Sequence, residues 1–294
     1  MRITRRGLLA AGMAAVPLGL EGQVRRVGGP RLKLSLAAYS YRDYLQGRRS
    51  PNMTYPDFLD AAARLPLDAV ELTEYYFPKP ITPEFIARIK RQCFLLGLDI
   101  SGSPMGNVFT HPAGPERDRE IGRVREWIDW CAELGAPCIR IFAGNAQPGQ
   151  SLEQATTCAI ECCEIACAHA EKRGVVLALE NHGGIVAEAD NLLRIARAVH
   201  SDFFGINLDT GNFRTEDPYA DLERCLPYTV VVQVKTEVAP RGKPKEQADL
   251  PRIVQMLRKA GYRGYVTLEY EAAEEPLQAV PRVLAEMRRL LDAA

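Results

Sequence analysis

Three short apolar runs each stop at an acidic residue and pass into a loop. Residues 175–182 read Val-Val-Leu-Ala-Leu-Glu180-Asn181-His182, residues 204–212 read Phe-Gly-Ile-Asn-Leu-Asp209-Thr210-Gly211-Asn212, and residues 264–269 read Gly-Tyr-Val-Thr-Leu-Glu269. Strands buried in a parallel sheet have this composition, and ligands collect outside their carboxyl ends. A fourth run, Val230 to Lys235, places Gln233 and Lys235 on one face by the period of two. Carboxylates gathered at neighbouring strand ends repel and raise one another's pKa. A divalent cation removes that conflict, and oxygen-only donors favour Mg²⁺ or Mn²⁺. Glu180, Asp209, Gln233 and Glu269 are therefore the candidate metal ligands. Acidic residues also end strands simply because loops begin there, and with 37 Asp and Glu among 294 residues chance alone supplies some of these ends.

The elements that must carry these residues follow from the periodicity of the chain. Apolar runs at 33–39, 69–73, 98–103, 138–142, 175–180, 204–209, 229–235 and 264–269 read as strands. Amphipathic segments at 55–64, 83–96, 116–134, 152–173, 190–199, 219–225, 248–260 and 277–292 read as helices. Thr82-Pro83, Ser151-x-x-Gln154 and Asp217-Pro218 are helix-start signals, and Gly97, Gly135, Gly174 and Gly261 stand where helices should stop. Eight strand–helix pairs in about 260 residues match a single-domain α/β fold, the (β/α)8 TIM barrel, over residues 31–294. The alternative, an open doubly wound sheet, needs a Gly-rich first turn for a nucleotide, and Tyr39-Ser-Tyr-Arg-Asp does not supply one.

Composition removes several classes of function. The formal net charge is zero, so a basic nucleic-acid-binding surface is not expected. No apolar run reaches the length of a stable membrane span. The first residues, with Arg5-Arg6 ahead of a short, weakly apolar stretch to Leu18, resemble a twin-arginine export signal, which predicts an extracytoplasmic, periplasmic location. Residues 1–30 are accordingly set apart as signal and flexible N-terminus, with cleavage near Leu20–Val27 or retention as an anchor both open. The eight cysteines do not read as a disulfide framework. Cys158, Cys162, Cys163 and Cys167 share one helical pattern with spacings poorly oriented for bridging, and Cys93, Cys131, Cys138 and Cys225 sit in apolar elements as small buried hydrophobes.

The motifs Leu179-Glu180-Asn-His182, Leu208-Asp209-Thr-Gly-Asn212, Val232-Gln233-Val-Lys235 and Leu268-Glu269 resemble those of the xylose-isomerase-like barrel superfamily, the sugar isomerase/epimerase group that includes the ketose 3-epimerases. Ala69-Val-Glu71-Leu, Leu134-Gly-Ala and Ile139-Arg140-Ile-Phe-Ala-Gly144 add to the match, which spans residues 33–270. The resemblance implies a small-molecule carbohydrate substrate and a divalent metal held by Glu, Asp, His and Glu. It implies that Glu180 and Glu269 are both ligands and the catalytic acid/base pair. It also places His182 in the same pocket, on a substrate hydroxyl or in a proton relay. Two positions depart from the pattern: Gln233 stands where the family has its ligand His, and Asn212 where the epimerases often carry a substrate-contacting His. The glutamine oxygen still suits a hard cation.

The expected chemistry is a proton shift next to a sugar carbonyl. Such a shift passes through an enediolate, which a cation stabilises and paired carboxylates serve. Lys235 either neutralises carboxylate charge or polarises a substrate oxygen. Glu71 is either a substrate contact or a salt-bridge partner at the barrel mouth. Arg140 points inward by parity with Phe142, towards ligand or towards Glu71 or Glu180. Tyr39 either lines the pocket or packs. The basic run Arg241-Gly-Lys243-Pro-Lys245 reads as a flexible loop after the seventh strand, and Trp127 and Trp130 as outer-layer packing. The same site also suits a lyase or hydrolase acting on an oxidised sugar, or a carbohydrate-binding barrel without catalysis. A nuclease of the same superfamily needs more histidines than the four present. A homo-oligomer is left open.

Overall fold

The computed structural model describes residues 22–293, so the twin-arginine-type segment lies outside the described residues. The strands are β1 (Arg31–Ala37), β2 (Ala69–Glu71), β3 (Asp99–Gly102), β4 (Cys138–Ile141), β5 (Val176–Glu180), β6 (Phe204–Asp209), β7 (Thr229–Val234), β8 (Glu237–Val238), β9 (Glu246–Gln247) and β10 (Arg263–Leu268). The helices are α1 (Arg42–Leu45), α2 (Tyr55–Ala62), α3 (Pro83–Leu96), α4 (Pro115–Leu134), α5 (Leu152–Arg173), α6 (Ala189–Ala198), α7 (Pro218–Cys225), α8 (Leu250–Lys259) and α9 (Pro276–Asp292). Eight strands form one parallel sheet in the order β3-β2-β1-β10-β7-β6-β5-β4. Its two edges meet: Ser103 N–H donates to Cys138 O at 2.9 Å and Met105 N–H to Arg140 O at 3.1 Å. The sheet is thus a (β/α)8 barrel, with β10 as its eighth strand.

The helices start and stop on the residues that signal it. Thr82 caps α3 through Phe85 N–H, Ser151 and Gln154 form a reciprocal capping box on α5, and Asp217 caps α7 through Ala220 N–H. Gly97, Gly135 and Gly174 end α3, α4 and α5 in the left-handed conformation. Each barrel strand and each main helix lies within 2 residues of its expected ends. Two features depart from expectation. The run Arg241–Lys245 is the turn of a two-stranded antiparallel ribbon, β8 with β9, rather than an unstructured loop. Residues 22–30, set apart as signal and flexible terminus, include a segment packed on the barrel floor, where Arg26 donates to Leu226 O and Thr229 O.

Alternation along the strands divides the molecule into two layers. Leu34, Leu36, Val70, Ile139, Leu177, Leu179, Ile206, Leu208, Val232, Val266 and Leu268 are buried in the main core cluster with residues of the surrounding helices. The opposite parity faces the barrel axis and is largely polar. At its base Lys33 pairs with Asp99 at 2.7 Å, and one layer higher the Ser35 and Ser101 hydroxyls meet at 2.8 Å. Above them come Glu71, Arg140, Glu180, Asn207, Asp209, Gln233 and Lys235, all buried. The eight cysteines are free thiols and seven are buried, as small hydrophobes would be. Among the described residues no helix is long and apolar enough to cross a membrane.

Candidate active site

Four adjacent strands, β5, β6, β7 and β10, bring the candidate residues together at their carboxyl ends. Glu180 is the last residue of β5, Asp209 the last of β6, Gln233 lies in β7, and Glu269 directly follows β10. At the centre stands Lys235. Its Nζ lies 2.7 Å from Glu269 Oε1, 2.8 Å from Glu271 Oε2 and 3.1 Å from Asp209 Oδ2. The Asp209 contact is out of line for a hydrogen bond, so it is an ion pair only. Glu180 is held by another cation: Arg140 Nε lies 2.8 Å from its Oε2, and Asn212 Nδ2 donates to its Oε1 at 2.7 Å. Of the two partners open to Arg140, the structure selects Glu180. The Arg140 guanidinium also donates to Met105 O at 2.6 Å and lies 3.9 Å over the Phe142 ring, whose other neighbour is His182 at 4.4 Å.

The loop after β6 makes room for this arrangement. Asn181 accepts from Asp209 N–H at 2.8 Å and donates to Asp209 O at 2.9 Å, which ties the ends of β5 and β6 together. Gly211 N–H donates to Asp209 Oδ1 at 2.8 Å. A Cβ on Gly211 would lie 2.8 Å from Lys235 Cβ and 2.7 Å from Glu237 O, so only glycine lets the lysine stem pass. Thr210 completes the clamp by accepting from Lys235 N–H.

Burial and charge set the protonation of the cluster. Burial pushes the Glu71 carboxyl up to about 8, with the charge on Glu269 adding to the effect. Burial also raises Glu180, against the pull of Arg140, and Asp209, against the pull of Lys235. Burial opposes ionisation of Glu269 too, but there the Lys235 ammonium wins and holds the carboxyl below its ordinary range. Lys235 itself is disfavoured by burial, yet Asp209, Glu269 and Glu271 raise it well above its ordinary value, so it stays charged. The His182 ring has an exposed edge and a face covered by Phe142; that partial burial and the nearby Arg140 favour its neutral form.

Glu71 and Gln233 are joined at 2.9 Å, Gln233 Nε2 donating to Glu71 Oε1, while Gln233 Oε1 accepts from Asn207 Nδ2 at 2.7 Å. Glu71 therefore sits beneath the mouth in a buried amide–acid pair, neither salt-bridged nor open to a ligand. Tyr39 is half-buried beside the cluster, its pKa raised by burial and by the charges of Glu271 and Glu269, with the Arg42 guanidinium over its ring at 5.1 Å. From Lys235 a cleft opens to solvent, lined by Asn212, Arg214, Glu237, Lys245 and Glu271. The β8–β9 ribbon supplies one wall, braced by Lys245 on Glu237 at 2.9 Å and by Arg241 on Glu188.

The expected metal set can be tested against these contacts. A hard divalent ion needs several oxygens converging on one centre with lone pairs to spare. Here the point shared by Asp209 and Glu269 is taken by an ammonium, and the Gln233 amide is engaged at both ends. Among the described residues no group of three or more His, Cys, Asp and Glu is arranged to hold a metal ion. The set Glu180, Asp209, Gln233 and Glu269, in this arrangement, does not fit a divalent cation.

Sequence reasoning passed over three residues of the cluster. Asn207 stands two residues before Asp209 and so faces the same way, a signal that parity contained. Glu271 stands two residues after Glu269. Asn181 gave no such signal, because its role depends on the neighbouring strand.

An eight-stranded barrel whose carboxyl-end mouth is lined by paired acidic, basic and amide side chains defines the class of protein to which the chain belongs. The profile of the xylose isomerase-like TIM barrel family matches residues 59–290, and the chain is a member of that family. No protein of curated function matches it. Among solved structures it is similar to a D-psicose 3-epimerase from Clostridium cellulolyticum H10, at 16% identity over 89% of this chain and 100% of that one, with a TM-score of 0.71. It is also similar to the 3-keto-D-glucoside 4-epimerase of E. coli, at 16% identity over 88% and 99% of the two chains, with a TM-score of 0.67. A xylose isomerase domain protein from Planctomyces limnophilus gives 18% identity over 89% and 98%, with a TM-score of 0.64. At these identities the similarity is one of fold.

Proposed function

We propose that this chain is a sugar isomerase or epimerase that moves a proton next to a carbonyl. The observation that carries the reading is a pair of buried carboxyl groups at one mouth whose surroundings pull their pKa values in opposite directions. Glu269 is kept ionised by Lys235, and Glu180 is drawn towards its acid form by burial. A pair pushed apart in this way supplies one base and one acid at the same pH. Glu269 removes the proton and Glu180 returns one. Arg140 and Asn212 hold the Glu180 carboxyl in place, and His182 at the rim meets a sugar hydroxyl as a neutral imidazole. Membership of the family supports the carbohydrate substrate, and two of the similar structures are named as epimerases of a ketose and of a keto-glucoside. The Arg5-Arg6 segment supports export by the twin-arginine route, with action outside the cytoplasm.

The test is NMR of a panel of ketoses and keto-glycosides in D2O with the purified protein. Deuterium should enter at one carbon beside the carbonyl. Glu180→Gln and Glu269→Gln should each slow that exchange by roughly 100-fold or more. Full exchange in either variant rules out the assigned pair. A product lacking its leaving group would move the reading to a lyase.

A further inference from the structure

The geometry points to the Lys235 ammonium, in place of a divalent ion, as the cation on which this site runs; this rests on the proton-transfer reading above. Lys235 Nζ has three carboxylate neighbours from two strand ends, Asp209 at 3.1 Å, Glu269 at 2.7 Å and Glu271 at 2.8 Å. Oxygens converging on one centre are what a metal site provides, and here a side chain of the protein fills that centre. The sequence is built for this occupant. Gly211 lacks the Cβ that would strike the lysine stem, and Thr210 fixes the Lys235 backbone. The residue in the ligand-histidine position, Gln233, is turned inward between Asn207 and Glu71 rather than towards the mouth. One departure from the family pattern, Gln233, is thus explained by the lysine that fills the centre.

The three neighbours of Lys235 are not equivalent. Asp209 is fully buried and Glu269 nearly so, whereas the Glu271 side chain keeps 35% of its exposure and lies on the cleft wall. Glu271 is the neighbour that a substrate can displace. The carbonyl oxygen of a bound sugar then takes the place of Glu271 beside the ammonium. Glu269 takes the proton from the adjacent carbon, the C–H electron pair forms the C=C bond, and the carbonyl pair moves to the oxygen facing Lys235. Glu180 then gives its proton to carbon as the C=O bond reforms. Glu269 ends protonated and Glu180 ionised, and the two reset through solvent. Nothing is oxidised or reduced. An ammonium that is itself largely buried is a strong partner for the developing oxyanion.

The experiment begins with binding and needs no activity. Protein stripped with EDTA is titrated with Mn²⁺, and the free ion is counted by EPR. Wild type should bind no stoichiometric Mn²⁺ below the millimolar range. Lys235→Ala leaves Asp209, Glu269 and Glu271 around a hole, and should bind Mn²⁺ at least about tenfold more tightly than wild type. If that variant folds and gains no affinity, Lys235 does not occupy an ion site and the inference falls. If it does not fold, the wild-type arm decides: micromolar stoichiometric binding overturns the inference. The same stripped wild type is then run in the D2O assay with chelator present. Persistent exchange supports the lysine. Exchange that needs added Mn²⁺ overturns the lysine and leaves the proposed function standing. Absence of exchange with or without Mn²⁺, alongside a Lys235→Ala gain in binding, removes the proposed function and leaves the lysine as the resident cation.

Discussion

At the scale of single residues, the most informative group is one that the chemistry does not use. Glu71 is fully enclosed, accepts from Gln233, and is pushed by burial from an ordinary value of 4.5 up to about 8. In the unfolded chain the same carboxyl loses its proton at the ordinary value. The folded state therefore draws stability from the bound proton at pH below 4.5, loses it as pH rises towards 8, and loses no more above that. Glu71→Gln keeps the shape and the accepting oxygen but has no proton to lose. The variant's melting temperature should rise relative to wild type across that window and run parallel to it above. Thermal melts of both proteins across the range check this; a difference that does not change with pH means that Glu71 is ionised throughout. This contrast also explains what the sequence could not show. An acidic residue at a strand end reads alike whether it pairs with an amide, a lysine or an arginine, and Glu71, Glu269 and Glu180 do one each.

At the scale of elements, the strands and helices were legible because the signals were local. The capping boxes, first-turn prolines and terminal glycines act on their own turns, and period-two alternation separates the helix-facing apolar set from the axial polar set. What was not legible depends on two elements at once. The clamp from Asn181 to Asp209 joins β5 to β6, and the β8–β9 ribbon forms where a run rich in Gly, Pro and basic residues reads as loose. Lys235 was visible as an inward residue, but its command of three carboxylates follows from how closely the β6 loop approaches β7. Gly211 controls that approach. Gly211→Ala places a methyl group 2.7 Å from the Glu237 backbone oxygen, which cannot swing away as a side chain can. The variant should lose about 1–3 kcal/mol of stability, read as a lower denaturation midpoint, and its deuterium exchange should fall as well. An unchanged midpoint would show that the loop yields freely and does not fix the lysine.

At the scale of the whole molecule, the barrel has a working end and a closed end, and the chain treats them differently. The mouth is acidic, partly open and bordered by a ribbon. The floor is covered by the segment that leads into β1. There Arg26 donates to Leu226 O at 3.1 Å and to Thr229 O at 2.7 Å, and its guanidinium lies 5.6 Å from the centre of the Tyr262 ring. Those contacts reach residues about 200 positions away, Leu226 just after α7 and Thr229 at the start of β7, so they tie the start of the fold to its last third. The expected cleavage region, Leu20–Val27, ends at this clamp, which gives the position of processing a structural consequence: a cut before Arg26 keeps the clamp and a cut after it removes it. Arg26→Ala strips hydrogen bonds from two carbonyl oxygens. Bonds made by a charged group carry on the order of 2 kcal/mol together. For a domain of this size that lowers the melting temperature by roughly 4–8 °C. Arg25→Ala, at the exposed neighbouring position, should change stability by less than about 0.5 kcal/mol. Equal melting temperatures for the two variants would mean that the segment rests on the floor without bracing it. Deuterium exchange should persist in both variants at temperatures where they are folded, because the clamp and the lysine stand at opposite ends of the barrel.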